Sequence, residues 1–250
     1  MHRFFAPALD PGDETVALPR DEAEHLTRVL RLSVGDTVAV FDGRGHEFLA
    51  RVASAVRRDV RLQLVSRTEP APEAAVAITL AQAVLKADKM DDVIRDAVML
   101  GVAAVLPIVT KRTEMTVARV RDTRVERWRR VALASTKQSR RAVVPEIRLP
   151  LSFEAYLEDP PGPVALRLML VEPGAAPSPE EVESVSALQR QPAPADAVVM
   201  VGPEGGWADQ EWSAARGRGV RLLTLGRRTL RADAVSVAAI SVLQFIWGDL

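Results

Sequence analysis

The chain has 250 residues, 48% of them apolar, with 33 Lys/Arg balanced by 33 Asp/Glu, three histidines and no cysteine. Disulfides and thiolate metal sites are thereby excluded, and His2, His25 and His46, all near the N-terminus, argue against a histidine-rich metal centre. No apolar run approaches the roughly 18 residues of a membrane span, and MHRFF is too short and polar for a secretory signal, so a cytoplasmic protein of one large or two modest domains is expected.

Residues 1–68 read as β-rich. Residues 36–42, 47–53 and 60–65 alternate apolar and polar positions as half-buried strands do, and DGRG at 42–45 predicts a hairpin turn between the first two. A short helix is expected over 22–30, capped by Asp21, with Ala23, Leu26 and Leu30 on one face. The proline-bearing stretch EPAPEAA at 69–75 reads as a linker, giving domains over 1–70 and 74–250. Beyond it the pattern changes. Strands are expected at 76–84, 104–109, 164–171, 198–202 and 220–225, and helices at 89–100, 119–138, 179–189, 209–216 and 234–247, with Asp88 capping the first of these helices. Strands separated by helices predict parallel pairing in a doubly wound α/β domain.

Zero net charge conceals a sorted distribution. Residues 111–148 carry twelve Lys/Arg against four Asp/Glu, and residues 216–231 carry six arginines and no acid. Basic faces of this kind are the electrostatic footprint of a nucleic-acid binder. The plainer alternative is a solvated helix face.

Three strand ends in the second half carry the chemistry: VEPG at 171–174, GPEGGW at 202–207 and LGRRTLRADAV at 225–235. The glycine loop has no lysine, so it is not a phosphate loop, and no G-x-G-x-x-G string occurs anywhere. Loops at the carboxyl ends of parallel strands are where open sheets bind ligands. If these three share one edge, they offer backbone polar groups, apolar walls and the carboxylates of Glu172 and Glu204. Such a cradle suits a purine attached to a cationic sulfonium.

These motifs, with RFF from Arg3, HLTRVLRLSVGD from His25, FDGRG from Phe41, LKADKMDDVIRDAVMLGV from Leu85 and KQSRRAVVPEI from Lys137, resemble the small-subunit ribosomal RNA uridine N3-methyltransferases of the SPOUT class, the RsmE family. The resemblance covers nearly the whole chain. It implies an N-terminal PUA-like barrel joined to a C-terminal α/β domain with a deep trefoil knot, and S-adenosylmethionine as cofactor. It implies 16S rRNA or the assembled small subunit as partner, and pairing as a homodimer, with neither metal nor membrane involved. Carried over, the cofactor positions are Gly202, Pro203, Glu204, Gly205 and Gly206, then Leu225, Gly226, Arg228, Leu230 and Arg231, with Leu170, Val171 and Glu172 as a third wall. Arg231 is the expected stabiliser of a uracil anion. Asp233 is expected either to assist proton removal or to cap the last helix. Arg3 and Arg28 of the N-terminal barrel, and Lys137, Gln138, Arg140 and Arg141, are the expected RNA contacts.

The chain departs from the family pattern twice. Asp233-Ala234-Val235 stands where Glu-Thr-Ala is usual, and Arg140 stands where glycine is frequent. The first departure keeps two other readings open, a non-catalytic RNA-binding or assembly factor and methylation of another RNA atom. The run AVSVAAISVLQFIW at 234–247 is apolar almost all round, so it is expected to be buried on more than one side, partly in a dimer interface. Trp128 and Trp247 are expected in the core or the dimer contact.

Overall fold

A computed structural model describes residues 1–56, 59–120, 122–175 and 179–250. Arg121, inside the basic helix expected over 119–138, lies outside them. The chain divides into two units: Met1–Glu73 with Thr136–Val144, and Ala74–Ser135 with Pro145–Leu250.

In the first unit, strands β1 (Arg3–Phe5), β2 (Thr15–Ala17), β3 (Thr37–Phe41), β4 (Glu47–Val56) and β5 (Asp59–Thr68) form one sheet in the order β1-β3-β4-β5-β2. β1 runs parallel to β3 and the other neighbours are antiparallel. The alternation seen in sequence places Ala50 and Val52 of β4, and Val60 and Leu62 of β5, in a core with Phe4, Leu9 and Leu26. The expected hairpin joins β3 to β4. Its buried Asp42 accepts from the backbone N–H groups of Arg44 at 2.7 Å and His46 at 3.0 Å, and it meets His46 Nδ1 at 2.8 Å. The helix expected over 22–30 starts earlier and changes character. It is α1 (Arg20–Glu24), whose N-cap is Pro19 rather than Asp21, followed by a π-helical turn over His25–Val29.

The second unit contains β6 (Ala77–Ala83), α2 (Lys89–Met99), β7 (Ala104–Val109), α3 (Asp122–Ser139), β8 (Glu146–Ile147), β9 (Leu151–Ser152), α4 (Phe153–Glu158) and β10 (Leu166–Leu170). It continues with β11 (Val182–Ser184), α5 (Val185–Gln189), β12 (Asp196–Val201), α6 (Asp209–Gly217), β13 (Arg221–Thr224) and α7 (Ala232–Trp247). By the unit division, the last residues of α3 count with the first unit. The sheet order is β11-β13-β10-β12-β6-β7-β8, with β9 also on β7, and every pair is parallel. Both faces are covered, as parallel sheets require. Ile78, Leu80, Val199 and Val201 face α2, α3 and α7, while Ala81, Ala83, Val198 and Met200 face α4 and α6.

The helix expected over 179–189 breaks into a 3₁₀ turn, the edge strand β11 and the short helix α5. Val182 pairs with Leu222 of β13, and Ser184 caps α5 by accepting from Ala187 N at 3.2 Å. Tertiary pairing overrides the local helix preference here. Asp88 occupies the N-cap position of α2 but makes no capping bond there; its carboxylate accepts from Arg127 at 3.0 Å. Trp128 and Trp247 are both buried in the core.

Arg3 is the fastener of the first unit. Its Nε donates to Glu47 at 2.8 Å, and Nη1 donates to the carbonyls of Thr136 at 3.1 Å and Lys137 at 2.8 Å. Nη2 donates to Arg141 O at 2.9 Å and again to Glu47, and the guanidinium lies 4.7 Å from the centroid of the Phe41 ring. Five N–H groups make five bonds, so every donor of this side chain is engaged within the unit. Only 10% of the Arg3 and Glu47 side chains is exposed. Replacing Arg3 with methionine leaves a nearly buried carboxylate unpaired, and urea unfolding is expected to show a loss of about 3 kcal/mol. A loss below about 1 kcal/mol, the range of exposed pairs, contradicts this account.

Candidate functional site

Strands β13, β10 and β12 are neighbours and parallel, so the three loops that follow them leave the same edge of the sheet. There they enclose a cavity of about 460 Å³, a volume typical of small-molecule sites. Leu170, Val171 and Glu172 line it from the end of β10. All five residues from Gly202 to Gly206 line it from β12, and Leu225, Arg228, Leu230 and Arg231 from β13. Gly226 and Asp233 are not among its lining residues. Trp207 and Val235, the last residues of two of the motifs, complete the wall with Lys89, Arg112, Asp209, Trp212 and Thr224, which lie outside those motifs, and a few smaller groups.

The glycine loop is fastened to its neighbours at several points. Trp207 is buried, and its indole Nε1 donates to Leu170 O at 2.8 Å. A Cβ on Gly202 would lie 3.1 Å from that Nε1, so the glycine makes room for the tryptophan. Gly206 has φ +68, a left-handed conformation in which glycine avoids the cost other residues meet. Gly202 thus serves approach of the protein to itself.

Glu204 faces another strand end. Its carboxylate accepts from Lys86 N and from Lys89 Nζ, each at 3.2 Å. Burial by itself pushes this carboxyl upward. The backbone N–H groups of Glu204 and Lys86, together with the Lys89 ammonium, outweigh burial and hold it below the usual carboxylate range. Further along, the buried Glu211 accepts from Ala208 N and from Lys111 N, both at 2.8 Å, which joins the start of α6 to the loop after β7.

At the third loop, Arg231 Nε and Nη2 donate to the two carboxylate oxygens of Asp233 at 3.1 Å each. The N-cap of α7 is Arg231, with no side-chain capping bond, and Asp233 lies in the first helical turn. Asp233 is therefore not the N-cap, which corrects that expectation, and it meets the cavity through Arg231 rather than as a lining group. A carboxylate in the first turn still complements the helix dipole.

The expected RNA contacts separate into two groups. Lys137 pairs with the buried Glu22, and Arg141, 4% exposed, pairs with Glu73. Like Arg3, these two hold the first unit together, Lys137 half-buried and Arg141 buried. Arg28, Gln138 and Arg140 are exposed. Arg140 also has φ +63, a left-handed conformation that favours glycine, the residue the resemblance implies at that place.

Two family descriptions match the chain: an RNA methyltransferase domain over residues 72–244 and an RNA methyltransferase PUA domain over residues 18–65. The ribosomal RNA small subunit methyltransferase E of Synechocystis is 32% identical over 229 residues, covering 92% of this chain and 72% of that protein. Its counterpart from Rickettsia conorii is 27% identical over 247 residues, covering 98% and 96%. Among solved structures, ribosomal RNA small subunit methyltransferase E from Neisseria gonorrhoeae bound to S-adenosyl methionine has a TM-score of 0.86 at 30% identity, covering 100% of this chain and 99% of that one. A Legionella pneumophila methyltransferase in complex with the same cofactor has a TM-score of 0.85 at 27% identity, covering 97% and 96%.

The Glu204 contacts carry a pH signature. A carboxyl lowered by folding stabilises the native state above its unfolded value, and that contribution disappears as pH falls through the lowered value. The melting-temperature gap between the wild type and Glu204→Gln is therefore expected to be widest near neutrality and to close in acid. A gap independent of pH shows that Glu204 acts without its charge.

Proposed function

This chain belongs to the RNA methyltransferase family, and from that premise we propose that it transfers a methyl group from S-adenosylmethionine to N3 of a uridine in 16S ribosomal RNA. The observation that carries the reading is the cavity where the ends of β10, β12 and β13 meet. Its residues fit that cofactor: Leu170, Val171, Trp207, Leu225, Leu230 and Val235 offer apolar walls for a purine, and Glu172 and Asp209 offer carboxylates to cationic groups. We read the three loops as the knotted region that the family resemblance implies, and the placement of β12 between β6 and β10 supports this. No helix among the described residues is long and apolar enough to cross a membrane, and we place the reaction in the cytoplasm, on rRNA or the assembled small subunit.

When bound, the cofactor supplies an electrophilic methyl group. The chain must hold uridine N3 in line with it and favour the imide anion. Orientation of this kind contributes up to roughly 7–11 kcal/mol in favourable cases. Arg231, on the cavity wall, is the cation we place beside the uracil oxygens, where it stabilises developing negative charge. Asp233 then orients that guanidinium through two of its N–H groups and leaves the others for the base. Arg28, Gln138 and Arg140 are the RNA contacts that remain exposed for this reading.

The outward face of α7 supports a homodimer. Ala239, Ile240, Leu243 and Trp247 pack into the core, and Ser236 is buried where its hydroxyl meets Gln82. The opposite face carries Ala234, Ala238, Ser241 and Phe245, and Phe245 is 65% exposed. A face without charge invites a second copy of itself through isologous pairing.

Mass spectrometry of 16S rRNA treated with the enzyme and cofactor is expected to reveal N3-methyluridine. A different methylated atom, or no methylation alongside intact RNA binding, overturns the proposal. Arg231→Ala should lower kcat by about a hundredfold or more, as loss of an anion-stabilising donor does; unchanged turnover removes Arg231 from the chemistry. Ser241→Arg should convert a dimer to a monomer in light scattering, whereas a wild type already monomeric at micromolar concentration contradicts the pairing.

A further inference from the structure

We propose that Arg112, on the loop after β7, is a positioning residue of the cofactor site, holding the Gly205 peptide in the conformation that receives S-adenosylmethionine. The inference rests on the cofactor reading above and adds to it a residue from a fourth strand end.

Arg112 lines the cavity, and its Nη1 donates to Gly205 O at 2.8 Å. β7 lies two strands from β12 in the sheet. The loop after β7 nonetheless runs back beside the glycine loop, so that the backbone oxygen of Arg112 would lie 3.9 Å from a Cβ on Gly205. The side chain lies close against the loop: a Cβ on Gly205 would come 3.3 Å from Arg112 Cβ. Gly205 thus leaves the space that the arginine stem occupies.

Both ends of this contact are fixed. On the arginine side, Lys111 N donates to Glu211, whose other oxygen accepts from Ala208 N, so the backbone preceding Arg112 is tied to the start of α6. On the loop side, Gly206 N donates to Pro203 O at 2.9 Å. The peptide joining Gly205 and Gly206 therefore has its carbonyl held by Arg112 and its N–H held by Pro203. Glycine on both sides of a peptide makes rotation of that peptide cheap, and Arg112 is the charged group that selects one orientation.

The functional consequence follows from populations. If only a fraction of molecules holds the competent loop, apparent affinity falls by that fraction. Hydrogen bonds to charged groups are strong enough for loss of this one to weaken cofactor binding about tenfold. The penalty falls on cofactor affinity rather than on RNA affinity or turnover at saturation. A residue that gripped RNA phosphate from the same loop shows the reverse pattern.

Isothermal titration with S-adenosylmethionine and steady-state assays on the rRNA substrate, for the wild type, Arg112→Ala and Arg112→Lys, test the proposal. The alanine variant is expected to bind cofactor about tenfold more weakly, the lysine variant to recover part of the loss, and KM for RNA to stay within twofold. Wild-type cofactor affinity in the alanine variant overturns the proposal, and so does a raised KM for RNA with cofactor affinity intact. Hydrogen exchange at the Gly205 and Gly206 amides is read in parallel on the lysine variant, which serves if the alanine variant does not fold. Faster exchange supports the positioning role and unchanged exchange overturns it. A wild type that binds no S-adenosylmethionine refutes the cofactor reading itself, and the exchange result still decides whether Arg112 holds the loop.

Discussion

The parallel run of β13, β10 and β12 is the constraint on which the site depends. Because these strands point the same way, residues 170–172, 202–206 and 225–231, far apart in sequence, emerge at one edge. The hydrogen bond from the Trp207 indole to Leu170 O then joins two of these loops directly. Burying an indole N–H without a partner is costly, so the pair acts as a lock on the relative height of the two strand ends. Glu204 and Glu211 extend the same logic toward β6 and β7. Carboxylates here fasten backbone, and the charges left toward the ligand are on other residues.

Much of this was legible in sequence because it is local. An apolar strand running into GPEGGW and then a helix needs no distant information, and alternation in the first seventy residues marks the strands that form there. The misses share one physical cause. Arg3 reads in sequence as an RNA contact, and only the fold shows Thr136 and Lys137, more than 130 residues later, returning beside it to take up its donors. Val182 to Ser184 looks helical until β13 offers it an edge. Lys89 and Arg112 sat in stretches noted for basic charge or helical spacing, and only the sheet order brings them to the cavity.

The basic segment that ends α3 illustrates how one charge run divides its labour. Lys137 and Arg141 turn toward carboxylates, and Arg140 turns out to solvent in a left-handed conformation. Net charge counted along the chain overstates the surface available to a polyanion, because paired arginines present little field. The departure at Asp233 is milder than its letters suggest. The shorter carboxylate still reaches both Nε and Nη2 of Arg231, so the ion pair at the start of α7 is intact.

The position of β12 between β6 and β10 also has a consequence in time. β6 and β10 precede β12 in the chain, yet neither can pair with the other; each must wait for a strand made later. β10 has only β12 and β13 as neighbours, both later in the chain, so until β12 arrives it has no partner, while β6 keeps β7 on one side and an open edge on the other. Contacts this distant in sequence form slowly, because the closure entropy must be met before any pairing repays it. During synthesis the nascent chain therefore carries an incomplete sheet, with β6 open on one side and β10 without a partner, until residues 196–201 have emerged. The same ordering makes the cavity a late product of folding, so a ligand bound there recognises only chains in which the sheet is complete.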